Sequence, residues 1–534
     1  LAGRAHATRG RFEMSARDIS ELTGRRFDLI VVGGGIAGCG IARDAALRGL
    51  SVLLVEKDDF AAATSSASSK LAHGGLRYLE YLRFGLVRES LHERETLLHI
   101  APHLVRPLPF LLPVYRNSGR PLWKLRAGLF LYELLQGGMS LGRHRLLKPE
   151  EIAAEEPELQ TKGLKGGFHF HDAQMNDARL VLENALDAQA HGAVLLSRVE
   201  CRDLLVREGR VTGVHLRDLL GSESVQVEAS VVVNAAGPWY ARVLGMQKLT
   251  EGPKPRLSRG THIVIPSITQ GHGILLQSRQ DRRVLFALPW KGQTLVGTTE
   301  IEHQESPEGL TVPAEDVEYL LREVDSYFPA KDKSERRVLS SFVGLRTLLP
   351  GSAELGEVSR EAQVREEAPG LVCVLGGKFT TYRAVAERAV DLITLLIDAK
   401  AKTPCRTAEL ALPGGEIPEM NDYFRVAEDL LVRETKLPLP TLRYLLGTYG
   451  SRHTSILKLI REHPEWAEPL EKDLPFTVAE VVHAVRHEHA LSVEDLIWRR
   501  TWRAHLGPLD DAAAERWEAA LREGLQGKPR RILV

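Results

Sequence analysis

The sequence predicts an α/β fold in which a nucleotide-binding sheet hosts an inserted mixed β-sheet and leads into an all-helical C-terminal domain. Three observations carry that reading. "FDLIVVGGGIAGCGIARDAALRGLSVLLVE", residues 27–56, opens on a continuous apolar run, breaks at glycines, recovers helical spacing and returns to a second apolar run. That order marks a strand–helix–strand unit whose strands are buried on both faces. Two later stretches, "ASVVVNAAGPW" and "GLVCVLGGKFTTYRAVAERAVDLITLL", repeat the buried strand and glycine turn, so the chain re-enters the nucleotide sheet twice. Beyond "LPGGEIP" the pattern is helical, with breaks at Pro438, Pro440, Pro464 and Pro475.

A chain of 534 residues exceeds one small core and calls for several units. The expected division is an irregular tail over 1–26, a nucleotide-binding domain interleaved with a substrate-binding part over 27–412, and a helical domain over 413–534. The substrate part falls mainly in 105–170 and 240–340. The tail opens on Leu, with Met14 a candidate natural start. Lys and Arg total 70 against 70 Asp and Glu, so no global field recruits a polyanion and no nucleic-acid partner is expected. Cys39, Cys201, Cys373 and Cys405 lie far apart, which argues against a disulfide framework or zinc knuckle and suits a reducing cytoplasm. No run approaches the roughly 18 apolar residues that span a bilayer, and residues 1–27 lack a secretory apolar core. The expectation is a soluble protein or one lying on a membrane surface.

Between the anchor motifs, residues 86–100 read as a helix, while 102–121 are punctuated by proline and read as loop or edge strand. A helix over 177–191 precedes an alternating meander that ends in "ASVVVN". "THIVIP", "RVLFALPW" and "TLVGTTE" supply strands for a second sheet, followed by a helix near 313–328.

Gly33, Gly35 and Gly38 form G-x-G-x-x-G between the first strand and helix, and Glu56 ends the next strand. Gly33 permits the tight turn, Gly35 admits a pyrophosphate to the backbone, Gly38 lets the helix pack on the strand, and the helix N-terminus offers free N–H groups. Glu56 is placed to accept from ribose hydroxyls. NAD and FAD share this fingerprint. The two returns to the sheet favour FAD, with Gly376 and Gly377 leading into a helix near Thr380 that aims its N-terminus at the flavin.

"TSSASSKLAHGGLRYLE" follows directly, placing Lys70, His73, Gly74, Gly75 and Arg77 together. With "GGGIAGCGIARDAALRGLSVLLVE", "NAAGPW", "HIVIP", "GTTE" and "GGKFTTYR", it makes the chain resemble the flavin-dependent glycerol-3-phosphate dehydrogenases over roughly residues 27–510, including "LPGG" and "LIWRRT". The resemblance implies a Rossmann-like FAD-binding domain and oxidation of sn-glycerol 3-phosphate to dihydroxyacetone phosphate. It further implies electrons passed to a membrane quinone at the inner membrane surface, hence a cytoplasmic protein held peripherally on the membrane. For FAD it implies contacts from Gly33, Gly34, Gly35, Ile36, Ala37, Gly38, Glu56, Lys57, Thr64, Ser65, Ser69, Lys70, Gly237, Gly376, Gly377 and Thr380. Arg77, Arg346, Arg360 and Lys378 resemble the family's basic substrate residues, with Tyr78 beside them. Arginine forks suit phosphate oxygens, and Lys378 is also placed to polarise an alkoxide. His73 is the expected base, because imidazole titrates near working pH and the following glycines leave room for substrate; His262, expected to bind substrate with Tyr78 and Arg360, is the competing candidate. Where the family often has proline after the arginine of "GLR", this chain has Thr347.

Two motifs stay apart from this assignment. His483, His487 and His489 in "HAVRHEH" invite a metal reading, but no further ligand is indicated and no metal is expected. "PLWKLRAGLFLYELLQGG", residues 121–138, suits a bilayer interface, a core helix or a dimer contact, so a homodimer stays open. Transfer of electrons to O₂ with formation of H₂O₂ is the neighbouring alternative to quinone, and a noncatalytic flavin-binding scaffold is a more distant one.

Overall fold

The computed structural model describes residues 19–116, 119–137, 141–248, 255–329, 336–351, 360–397 and 403–526. At its centre, five strands run side by side and parallel: Leu371–Gly376, Ser224–Asn234, Arg26–Val32, Val52–Val55 and Val194–Leu196. Ala362–Ala368 and the hairpin Val199–Arg207/Arg210–Asp218 extend them antiparallel into an eight-stranded sheet. Successive side chains point to opposite faces. Leu29, Val31, Leu54, Val231 and Val233 therefore pack beneath the helices Ile36–Leu47 and Tyr382–Leu396. Ile30, Val55 and Val232 pack on the other side against Tyr240 and the hairpin. Burial on both faces is why these strands read as unbroken apolar runs. The stretch read as a tail contributes here: Ile19–Leu22 form a 3-10 turn whose Ile19 and Leu22 join this lower core, and Arg26 begins the first strand. Residues 1–18 and Met14 lie outside the described residues.

The second, ten-stranded sheet holds Val105–Tyr115 between Leu164–Met175 and Gly273–Gln277. Residues 105–115 are thus an interior strand rather than a loop or edge. Pro107, Pro109 and Pro113 are spaced by even numbers, so their missing N–H groups all face one side. Pairing with Leu164–Met175 runs the length of the strand, whereas Gly273–Gln277 meets only residues 110 and 111, so the prolines face the thinly paired side. At the far end, Ser340–Leu348 zips antiparallel along Arg256–Pro266, bringing Arg346 opposite Ser258 and Thr347 opposite Leu257. The expected proline position is an ordinary strand residue here.

Helices from Met420–Glu434 to Asp511–Leu525 pack around Trp517, Phe476 and Tyr449. Buried charge ties this domain to the nucleotide sheet. Asp59 accepts from Arg499 Nε at 2.6 Å and from Arg500 Nη1 and Nη2 at 2.8 Å, and Arg179 donates to both oxygens of Glu488. His483 packs on Tyr449 near Glu488 and against the His487 ring, 5.0 Å between centroids, whereas His489 meets Gln189 through Nε2 at 3.0 Å. All four cysteines are free thiols.

Candidate active site

The glycine turn after Arg26–Val32 opens one long cavity whose lining follows the chain's three visits to the nucleotide sheet. Its wall includes Glu56, Lys57 and Trp239, the glycine-turn residues Gly33, Gly35 and Ile36 with Thr64 and Ser65, and His73, Gly376, Gly377, Lys378 and Thr380. The turn requires glycine. Gly33 has φ +114°, and a Cβ there would stand 2.6 Å from the Ala235 carbonyl oxygen. A Cβ on Gly38 would stand 1.9 Å from the Gly33 oxygen, so Gly38 serves packing rather than lining. Gly34 and Asp58 donate backbone N–H bonds to the Glu56 carboxylate at 2.6 and 2.8 Å. Burial nevertheless raises the Glu56 pKa above the usual range. Ile36, at the first turn of its helix, donates to Ser65 Oγ at 3.0 Å, and Ala37 lines the same stretch.

Lys57 sits over the Trp239 ring and pairs with Glu308, and Thr64 Oγ1 donates to the Leu345 carbonyl. Gly237 takes φ +51°, while Gly376 and Gly377 take φ +78° and +101° before the turn Phe379–Thr381 and the helix behind it. Lys70 departs from expectation. Its buried ammonium turns away from the cavity to Asp177 Oδ1 and the Ser66 carbonyl, each at 2.6 Å, so it anchors the loop instead of facing a cofactor. The neighbouring Asp177 carboxylate provides the compensating charge that a buried lysine needs.

A second cavity, mostly apolar, meets the first at Ser69, Leu71, His73, Tyr78, Arg346 and Arg360. Here the structure brings together the residues expected for catalysis and substrate binding. His73 is fixed by its backbone, whose N–H donates to Thr380 Oγ1 at 3.2 Å, and by an edge contact with Phe286. Its imidazole makes no hydrogen bond among the described residues. Burial, helped by Lys378 and Arg94 and opposed by Asp172, pulls its pKa down to about 4. Lys378 Nζ lies 4.0 Å from the Tyr78 ring centroid, with Ser90 Oγ at 3.1 Å and the Gly74 carbonyl at 3.4 Å. Burial and then Arg360 bring it to about 7. Among the described residues Arg346 donates to neutral oxygens, Thr298 Oγ1 at 2.8 Å and the Thr299 carbonyl at 3.3 Å, and burial followed by Arg360 lowers it to about 10. Arg360 pairs with Glu300, and Arg77 reaches the same carboxylate at 3.5 Å. His262 is a different kind of residue. It stacks on Phe342, shares a 2.9 Å hydrogen bond with Ser69 Oγ, and has its pKa driven well below the ordinary value by burial.

Several supports escape a reading of the sequence. Asp172 accepts from Arg94 Nη1 at 2.9 Å and from Tyr132 Oη at 2.7 Å, and Tyr132 Oη in turn accepts from the Gly74 N–H at 2.9 Å. This relay holds the His73–Gly75 turn. The available signal was an acid inside the alternating strand "FHFHDAQM". Gly260 is another: a Cβ there would lie 2.5 Å from the Arg346 guanidinium, so a bare backbone gives that side chain its passage. Glu300, within "GTTE", carried no assigned role.

Family comparison agrees with this geometry. The FAD dependent oxidoreductase family matches residues 28–392, and the C-terminal domain of alpha-glycerophosphate oxidase matches 405–525. Glycerol-3-phosphate dehydrogenase of Synechocystis sp. is 37% identical over 503 residues, 91% of this chain and 90% of that protein. The chain belongs to the FAD-dependent glycerol-3-phosphate dehydrogenase family. A crystal structure of glycerol-3-phosphate dehydrogenase from Bacillus halodurans, complexed with FAD, superposes with a TM-score of 0.74 at 28% identity, covering 97% of each chain. D-erythritol 1-phosphate dehydrogenase of Brucella abortus is 38% identical over 504 residues, covering 92% of this chain and 97% of that one.

FAD is the cofactor, and the residues present fit it. The long cavity offers an acid for ribose, glycine backbone and a helix N-terminus for pyrophosphate, and a glycine turn into a second helix for the ring system. Gly35→Val places a branched side chain where a Cβ alone would stand 3.1 Å from Ser65 Oγ, in the wall of that cavity. The variant should purify colourless; retention of full flavin absorbance would remove this turn from the binding site.

Proposed function

We propose that the protein oxidises the C2 hydroxyl of sn-glycerol 3-phosphate to give dihydroxyacetone phosphate and delivers the electrons to a membrane quinone. The observation that carries this reading is an imidazole, His73, that makes no hydrogen bond among the described residues and shares the lining where the two cavities meet with Arg346 and Arg360, while Lys378 lines the first cavity and Arg77 the second. FAD supplies the hydride acceptor for such an oxidation. His73 then takes the hydroxyl proton, its low pKa keeping the ring nitrogen unprotonated. Arg346 and Arg360 present guanidinium donors to the phosphate, and Lys378 supplies positive charge next to the reacting oxygen. His262 keeps Ser69 in place and is too enclosed to serve as the base. The relative named for D-erythritol 1-phosphate supports a second reading, in which a longer polyol phosphate uses the same cations and extends into the second cavity.

The acceptor side of the proposal rests on the helix Leu122–Gln136. Trp123, Phe130 and Leu134 are 73%, 64% and 66% exposed along one face, joined by Leu82 at 72%. Lys124 and Arg126 flank them, and the second cavity opens among Leu82, Phe84, Lys124, Ala127 and Gly128. Aromatic and aliphatic side chains edged by cations suit the interfacial layer of a bilayer, where a lipid-soluble quinone has a direct entrance. No helix among the described residues is long and apolar enough to cross a membrane, so surface attachment is the form proposed.

Two outcomes test this reading. His73→Asn should slow rapid-mixing flavin reduction by glycerol 3-phosphate roughly a hundredfold while leaving FAD bound. A base is lost as pH falls through its pKa, so with His73 at about 4 the wild-type rate should not fall between pH ~7 and ~5.5, a window in which Lys378, at about 7, only gains charge. An unperturbed imidazole would instead lose about nine-tenths of its basic form by the lower limit. An unchanged reduction rate in the variant would move the base elsewhere. Trp123→Ser combined with Phe130→Ser should release the protein from phospholipid vesicles and lower quinone reduction, with flavin reduction by substrate unaltered; undiminished vesicle binding would refute the assigned face.

A further inference from the structure

The mechanism above uses the cations of the site but leaves their shared carboxylate unexplained. Glu300 is buried, 7% exposed, at the end of the "GTTE" segment. Its Oε1 accepts from Arg360, its Oε2 lies 3.5 Å from Arg77, and its backbone carbonyl accepts from Arg283. Arg346 is held one residue away, on the Thr298 hydroxyl and the Thr299 carbonyl. Burial pushes the Glu300 carboxyl upward, but Arg360, then Arg77, Arg346 and Arg283, hold it below the usual range, so it is ionised at neutral pH. Among the described residues, no carboxylate pairs with Arg346 or Lys378.

We propose that Glu300 is a resident counter-ion of the phosphate subsite: it engages Arg360 and Arg77 before substrate arrives and sets how tightly the cluster holds a phosphate group. Arg360, Arg77, Arg346 and Arg283 outnumber the one carboxylate, so the cluster keeps a net positive charge for a phosphate dianion. The carboxylate keeps the arginines oriented, and its negative charge repels the incoming dianion at short range. That repulsion limits affinity, so phosphorylated substrate and product can exchange. Cations drawn partly from water are stabilised by an anion nearby, and a resident one weakens the site's hold on free phosphate without abolishing it.

The proposal rests on the reading that the arginine cluster receives the substrate's phosphate, and the experiment separates the two. Inorganic phosphate is used as a competitive inhibitor of anaerobic flavin reduction by glycerol 3-phosphate, with the full-length FAD-loaded protein. Wild type should be inhibited competitively, and Arg346→Ala should weaken the inhibition at least tenfold; if phosphate does not compete, or Arg346→Ala leaves its inhibition unchanged, the phosphate subsite is misplaced and the Glu300 role falls with it. With those controls met, Glu300→Gln keeps the shape and a hydrogen-bonding group but removes the like charge, and should tighten phosphate inhibition by about tenfold or more. Unchanged or weaker inhibition would show that Glu300 only props the arginines, and would overturn the proposal. Should Glu300→Gln alone fail to fold, Arg360→Gln is compared with the Arg360→Gln/Glu300→Gln pair, which removes both charges of the ion pair. The added glutamine should recover phosphate affinity lost with Arg360; no recovery would count against the proposal equally.

Discussion

The site depends on a surplus of positive charge that is only partly withdrawn from solvent and only partly matched by counter-charge. Arg346 and Arg360 lie where two cavities meet, with Lys378 on the wall of the first and Arg77 on the wall of the second, and cations drawn even partly from water are stabilised by hydrogen bonds and counter-charge. Glu300 answers for Arg77 and Arg360, and neutral threonine oxygens answer for Arg346. What remains uncompensated is the site's complementarity to an anion. The same surplus acts on the titratable groups: burial and neighbouring cations pull His73 and Lys378 below their ordinary values, so the imidazole is neutral and the Lys378 amine is partly neutral near pH 7.

Architecture explains how residues so far apart in the chain reach one point. The nucleotide sheet ends in glycine turns at Gly33, Gly237 and Gly376, and the mixed sheet delivers Arg346 on a strand zipped to its neighbour. Between them runs the irregular segment from Glu56 to Arg77, pinned on one side by Asp59 to Arg499 and Arg500 and on the other by Lys70 to Asp177. The C-terminal domain therefore supports the wall of the cofactor cavity as well as enclosing its own core. His73 is carried on the last part of that pinned segment, where the Asp172–Tyr132 relay fixes the turn after it.

Much of this was legible because it is local and periodic. The strand–glycine–helix unit, both returns to its sheet and the helical end domain follow from repeat patterns that burial on one or two faces imposes. The strand Val105–Tyr115 was misread because a proline's cost depends on whether its missing N–H faces a partner, which only the pairing reveals. Lys70 was placed at the cofactor because it sits among loop residues that do line the cavity, and spacing in an irregular loop does not say which way a side chain turns. Asp172, Gly260 and Glu300 went unassigned because their partners, Arg94, Arg346 and Arg360, lie tens of residues away and become neighbours only in the folded sheet.

The proposed reaction is oxidation of a phosphorylated polyol at the junction of these cavities. Anaerobic titration of the purified FAD-loaded protein with sn-glycerol 3-phosphate, followed by flavin absorbance, tests it most directly. The account predicts bleaching by glycerol 3-phosphate with none by unphosphorylated glycerol at the same concentration. A flavin that stays oxidised with the phosphate ester, or that glycerol bleaches equally well, would contradict it.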